Sequence, residues 1–257
     1  MNRILVCNDD GWQSEGLKAL VDAVAPCAEV YVVAPEAEQS AAAHAISLRR
    51  PLRIREVRPR WYAVDGTPTD CSYIGINHVL KGARPQLVLS GINYGPNLAE
   101  DITYSGTVAA AMEAMLLGVP AVAFSLATRH GFDFAPAARF AAAFVPALLA
   151  RPLPPQLLLN VNVPADPVSD EYVLTRLGRH SYGFDVIEKT DPRGRKYYWI
   201  GGSEYSHEDI PGSDCNVVLR ERRVSVTPLH LNLTDAALAS VVETWPVPGW
   251  TRVRAPD

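Results

Sequence analysis

From residue 1 to about residue 128, short apolar runs alternate with stretches whose apolar residues recur at helical spacing. That alternation leaves few architectures open. A run such as ILVC or VYVVA is apolar on both faces of a strand, so it must be covered on both sides, and the intervening helices are available to cover it. The pattern predicts an α/β fold: a mostly parallel sheet with helices on both faces. Strands are expected at residues 3–7, 29–34, 86–90 and 119–126. Between the first two, Ser14 is placed to cap a helix whose stripe is Leu17, Leu20, Val21 and Val24. Thr67 followed by Pro68 reads as a cap and first-turn proline. Residues 107–118, TVAAAMEAMLLG, read as a strong helix closed by glycine.

Beyond residue 128, the Ala-rich stretch 135–150 predicts a helix bent or ended near Pro146, and 156–164 a strand able to extend the sheet. The stretch from about 173 to 214 is richer in Gly, Asp, Arg and Tyr. It places the turn-like DPRGR before KYYWI, which reads as a hairpin-bearing excursion from the core. VSVTP at Val224 returns as a strand, and 235–245 forms an amphipathic C-terminal helix.

With 257 residues, 48% hydrophobic and 20% charged, the chain has material for a sizeable core, which excludes collagen-like, low-complexity and largely disordered classes. At about 150 residues per domain, one domain with an elaborate appendage is expected. The apolar stretch before Asn8 is too short for a secretory signal, and no apolar run reaches the roughly 18 residues of a membrane span. A cytoplasmic location and no membrane partner are therefore expected. Cys7, Cys27, Cys71 and Cys215 are scattered, as free thiols would be. A net charge of -4 argues against a nucleic-acid coat. The local exception is RRPLRIREVRPR, Arg49 to Arg60, read as a strand whose charged face keeps a sheet edge from pairing.

In an open parallel sheet, ligands bind beyond the carboxyl ends of the strands. Here those positions are polar: Asn8-Asp9-Asp10-Gly11 after the first strand, Ser40 after the second, and Ser90 to Asn97 after the 86–90 strand. Adjacent carboxylates in a water-poor crevice need a proton or a cation. Asp9, Asp10, the Ser40 hydroxyl and the Asn93 amide oxygen make an all-oxygen shell suited to Mg²⁺, Mn²⁺ or Ca²⁺. The alternative for Asp9-Asp10-Gly11 is a plain strand-to-helix turn. Asn8 can orient a substrate oxygen beside the ion or bond its own turn. Ser105-Gly106-Thr107 opens a helix and offers a phosphate seat, with simple N-capping by Ser105 as the competing reading. No P-loop, G-x-G-x-x-G or G-x-S-x-G motif is present, and the histidines show no ligand spacing.

Taken in order, NDDG, Gln39-Ser40, GTPTDC (66–71), SGINYGPNL (90–98), YSGTVAAAMEA (104–114), DPRGRKYYWIGG (191–202) and VSVTPLHLNLT (224–234) closely resemble the SurE family of 5'/3'-nucleotidases. The resemblance implies a metal-dependent phosphomonoesterase acting on nucleoside monophosphates. It implies a Rossmann-like core of about 1–172 and 215–245, a projecting arm of about 173–214 and a C-terminal extension, all in one domain. The family's ligands for one divalent ion per subunit match Asp9, Asp10, Ser40 and Asn93. Asn97 and Ser105-Gly106-Thr107 match positions lining the phosphate pocket, and family members form homodimers or homotetramers. The sequence departs from many members at Ala41, Ala42 and Ala43, where glycine or hydroxyl residues are common, and at Ala114. Asp10 or a metal-bound hydroxide is the expected base. The rival readings are a covalent phosphoaspartate phosphatase, which would use D-x-D rather than adjacent aspartates, and a nucleotide sensor without turnover.

Overall fold

The computed structural model describes residues 2–128, 131–181, 186–200, 206–248 and 250–251. Its strands in chain order are β1 (Arg3–Cys7), β2 (Glu29–Pro35), β3 (Ile54–Arg58), β4 (Trp61–Val64), β5 (Leu87–Tyr94), β6 (Ala121–Ala127), β7 (Leu158–Pro164), β8 (Tyr172–Leu174), β9 (His180–Ser181), β10 (Val186–Thr190), β11 (Lys196–Ile200), β12 (Ser206–His207) and β13 (Val224–Pro228). The helices are α1 (Glu15–Val24), α2 (Pro68–Ile74), α3 (Gly106–Leu116), α4 (Ala135–Leu149) and α5 (Ala236–Val242). Nine strands form one sheet in the order β3-β4-β2-β1-β5-β6-β7-β13-β8. Its centre, β4-β2-β1-β5-β6-β7, is parallel throughout, while β3 and β13 run antiparallel to β4 and β7. The fold is α/β, with a mostly parallel sheet, as the periodicity predicts.

Alternate residues of β1 explain the two layers. Ile4 and Val6 face a core shared with Leu17, Leu20 and Val24 of α1 and with Ala137, Ala141 and Val145 of α4. Leu5 and Cys7 face the opposite core with Cys71 of α2 and Val108 and Ala111 of α3. Helices therefore cover both faces. Fully burying a side chain such as Leu17 or Phe124 contributes about 1.5–3 kcal/mol. Ser14 caps α1 by accepting from the Leu17 N–H, and Thr67 caps α2 in a reciprocal box with Asp70.

Several boundaries differ from the sequence reading for physical reasons. The strand expected to stop at Ser90 continues to Tyr94, because pairing with β6 resumes after an irregularity between Ser90 and Asn93. Gly91 sits there at φ 127°, where a Cβ would lie 2.2 Å from the Phe124 carbonyl oxygen. α4 runs through Pro146 rather than ending there. Pro146 and Ala142 are both exposed, so the carbonyl left without an N–H partner is on the wet side of the helix. The arginine-rich segment forms β3 at the sheet edge, shorter than expected, with β4 as its unanticipated partner. Four of its six arginines are matched by carboxylates: Arg50 and Arg53 with Asp65, Arg55 with Glu36, Arg60 with Glu29.

Within the stretch 173–214, β10 and β11 form a separate antiparallel hairpin, whereas β8 joins the main sheet beside β13. Parts of that stretch, 182–185 and 201–205, and the Gly201-Gly202 end of the DPRGRKYYWIGG motif lie outside the described residues. Among the described residues no helix is long and apolar enough to cross a membrane.

Gly16 lets α1 lie close against β5: a Cβ there would fall 2.1 Å from the Ile92 carbonyl oxygen. Backbone cannot yield there as a flexible side chain would. Gly16→Ala is expected to destabilise the fold by about 3 kcal/mol in chemical denaturation. A change below about 0.5 kcal/mol would show that α1 docks less tightly than this contact requires.

Candidate active site

At the carboxyl end of β1 the chain turns through Asn8, Asp9, Asp10 and Gly11, with Gly11 at φ 92°. Asn8 is fully buried, and its Nδ2 donates to the Gly11 carbonyl at 2.9 Å and to Ser14 Oγ at 2.8 Å. These bonds tie the amide nitrogen to its own turn, while Oδ1 is buried with no partner among the described residues. Because Ser14 also caps α1, one side chain locks the turn that carries both aspartates to the helix that follows.

Asp9 is 4% exposed. The Thr107 hydroxyl donates to Asp9 Oδ1 and lies 3.3 Å from Asn93 Oδ1, so residues from β1, β5 and α3 meet at one point. Asn93 is turned toward it by donating its own Nδ2 to the Gly95 carbonyl at 2.8 Å. The meeting depends on Gly106, where a Cβ would sit 2.8 Å from Asp9 Cβ and 3.0 Å from its Oδ2. Ser105 caps α3 by accepting from the Val108 N–H at 3.1 Å. Asn97 Nδ2 donates to Ser125 Oγ at 2.8 Å, which ties its side chain to β6.

Ser40 lies on the loop after β2. That loop is bonded to the end of β1 through Gln39 N–H to the Asp9 carbonyl at 2.8 Å, and to the start of α3 through Ala43 N–H to the Tyr104 carbonyl at 3.1 Å. Ser40 itself is exposed and donates to Glu38 Oε1 at 2.6 Å. Ala41 and Ala43 hold φ values of 58° and 52°, a region that favours glycine, so the alanines at these positions carry backbone strain beside Ser40.

Burial pushes the Asp9 carboxyl up, against the lowering effect of the Thr107 hydrogen bond, and Glu38 raises it further. Burial, then Asp9, then Glu38 push Asp10 up to about 7, with the Tyr94 N–H opposing. No cationic group is among the causes acting on either. Among the described residues, no three His, Cys, Asp or Glu form a metal cluster. The Asp9 and Asp10 carboxylates and the Asn93 amide oxygen fit a hard divalent cation and not zinc or copper, whereas the Ser40 hydroxyl is turned to Glu38.

Residues 4–184 match the family model described as Survival protein SurE. The chain belongs to the SurE family. It is 68% identical over 250 residues to the 5'-nucleotidase SurE of Myxococcus xanthus, covering 97% of this chain and 95% of that protein. The 5'-nucleotidase SurE of Geobacter sulfurreducens is 51% identical over 245 residues, covering 94% and 93%. The crystal structure of a SurE protein from Aquifex aeolicus superposes with a TM-score of 0.83 at 40% identity, covering 94% of this chain and 98% of that one.

Sequence reasoning missed three contributors to this SurE site. Glu38 adds a third carboxylate whose charge reaches both aspartates. His44 Nε2 lies 2.9 Å from Glu113 Oε2 on α3, pinning the Ser40 loop to that helix. Asn160 and Asn162 donate to the Asn97 carbonyl at 2.8 and 2.9 Å. Only the last left a sequence signal, two asparagines alternating with valines inside an otherwise apolar strand.

The raised carboxyls carry a pH consequence with a definite sign. Asp10 holds its proton more tightly in the fold, up to about 7, than at its ordinary value of 3.8. Its contribution to stability is full below about pH 4 and is lost as pH rises to about 7, and Asp9 acts in the same direction. In chelator, the thermal midpoint is expected to fall between pH 5 and pH 8, and Asp10→Asn to flatten that fall. An equally steep decline in the variant would assign it to other groups.

Proposed function

We propose that this chain is a 5'-nucleotidase, a metal-dependent phosphomonoesterase that hydrolyses nucleoside 5'-monophosphates, and 3'-monophosphates as well, to nucleoside and phosphate. The observation that carries the reading is the Asp9 carboxylate, brought against Asn93 and the start of α3 through Thr107, with a second carboxylate, Asp10, next to it in the chain. The names of the similar SurE proteins support the same reaction.

In this reading Asp9, Asp10, Ser40 and Asn93 hold one Mg²⁺ or Mn²⁺. When bound, such an ion polarises the phosphoryl group and lowers the pKa of a water. The chain supplies the rest. The backbone N–H groups of Gly106 and Thr107 and the Ser105 hydroxyl receive the phosphoryl oxygens at the helix start. Ser105 can donate there because its oxygen, not its hydrogen, is used in capping Val108. Asp10 takes the proton of the attacking water at its carboxylate. Asn8 orients a substrate oxygen beside the ion and the Asn97 amide lines the phosphate pocket, while their other hydrogen bonds hold the two loops in register.

We place the enzyme in the cytoplasm as a homodimer or homotetramer. Support for self-association comes from apolar surface left uncovered: Tyr198, Trp199 and Ile200 on β11, and Leu238, Val241 and Trp245 in and after α5, are all exposed. The α5 helix has no buried residue at all.

Phosphate release from AMP in Mn²⁺, compared with release in EDTA, tests the reading. Turnover is expected only with the cation. Asp9→Asn and Asn93→Ala are each expected to lower kcat at least about a hundredfold, with the far-ultraviolet spectrum unchanged. Undiminished turnover in EDTA, or in both variants, would refute it.

A further inference from the structure

Ser105 opens the phosphate seat, but what fixes its backbone lies upstream. Residues Ala99–Thr103 form a short 3-10 turn between the Asn97 loop and α3. The Asp101 carbonyl closes that turn by accepting two N–H groups, from Tyr104 at 3.0 Å and from Ser105 at 3.1 Å. Ser105 then caps α3 through its side chain. A displacement of Asp101 therefore carries the first residue of the seat with it.

The Asp101 side chain is in turn held from the base of the hairpin-bearing stretch. Its Oδ2 lies 3.1 Å from Nε2 of His180 on β9, and the His180 side chain is only 5% exposed. Enclosure of this kind leaves a charge pair little screened by salt. The Asp101 carboxylate is also the largest influence on the imidazole, raising its pKa against the opposing effect of burial. The backbone of His180 adds a second tie, its N–H donating to Glu100 Oε2 at 2.9 Å. One residue, 80 positions away in the chain, thus engages two successive carboxylates of the turn. His180 is itself fixed by pairing with His207 of β12. These contacts involve none of the ion-shell residues.

We propose that His180, acting through Asp101, is a positioning residue for the phosphate seat, so that the base of the hairpin-bearing stretch sets the affinity for the phosphoryl group. The proposal rests on the phosphomonoesterase reading above and deepens it. The ion shell and the seat are thereby positioned by separate parts of the chain: the first by the ends of β1 and β5, the second by β9.

Kinetics with AMP in Mn²⁺ and calorimetric titration with inorganic phosphate test this on the full chain. His180→Ala keeps the backbone N–H that Glu100 accepts, and Asp101→Asn keeps the carbonyl that Ser105 bonds. Each is expected to raise KM for AMP and to weaken phosphate binding by the same factor, roughly fivefold. The double variant is expected to be no worse than either single one, because both substitutions break one link. A merely structural role would reduce the folded fraction, lowering kcat and leaving KM and phosphate affinity as they are. Unchanged KM and phosphate affinity, or effects that multiply in the double variant, would overturn the proposal while leaving the phosphatase reading standing. Should the wild-type chain release no phosphate from AMP, the phosphatase reading fails, and calorimetry decides the positioning role alone. Weaker phosphate binding by both variants then supports it; equal binding, or binding to none of the proteins, rejects it.

Discussion

Two carboxylates stand side by side at the end of a buried strand, and no cationic group of the described residues is among the influences on either. Asp9 and Asp10 both have raised pKa values, with burial as the first cause and their neighbouring carboxylates adding to it. An arrangement of this kind costs stability and persists only where surrounding structure enforces it. Most of the local architecture is that enforcement. Asn8 fixes the turn to α1, Gly106 lets α3 approach Asp9, and Gln39 bonds the Ser40 loop to the Asp9 carbonyl.

A second layer holds the loop between β5 and α3. The Asn97 carbonyl accepts from both Asn160 and Asn162, its N–H donates to Asn162 Oδ1 at 2.8 Å, and its side chain reaches Ser125. Further along, the buried Asp214 carboxylate accepts the N–H groups of Ala99 at 2.9 Å, Gly178 at 2.7 Å and Cys215 at 2.8 Å. Leaving any one of these buried groups unpaired would cost about 1–3 kcal/mol, so the network favours a single loop geometry. The same carboxylate bonds Gly178 in the stretch that leads to the hairpin, which couples that stretch to the loop preceding Ser105.

Elements governed by local periodicity were legible in the sequence. The α1 stripe, the Ser14 and Thr67 caps and the central strands follow from residue spacing that any helix or buried strand must show. The approach of Asp9 to Asn93 was legible too, because strand ends in a parallel sheet share one side of the molecule and polar residues there are conspicuous. What escaped depended on contacts between distant residues. The extension of β5 through Asn93 and Tyr94 requires pairing with β6 past a glycine irregularity, and glycine in isolation reads as the end of a strand. His44 and Glu113 are 69 positions apart and look like ordinary polar residues until the loop folds onto α3. Phe132 sits in a loop, where no period marks it.

The electrostatics also order the roles of the site's two ends. With Asp9, Asp10 and Glu38 converging and no basic side chain of the described residues among the influences on either aspartate, these carboxylates attract cations and repel a phosphate dianion. The helix start at Gly106 works against that repulsion, but a helix end carries only about half a charge and its influence fades within a turn. It can orient a phosphoryl group; it cannot offset paired carboxylates. In the proposed reading, affinity for the substrate anion requires charge compensation at the aspartates. Oxygens meet at the β1, β5 and α3 ends, and the stacked rings of Tyr94 and Phe132 line the cleft beside Asp10. Tyr94, adjacent to Asn93 in β5 and stacked on Phe132, lies between the two.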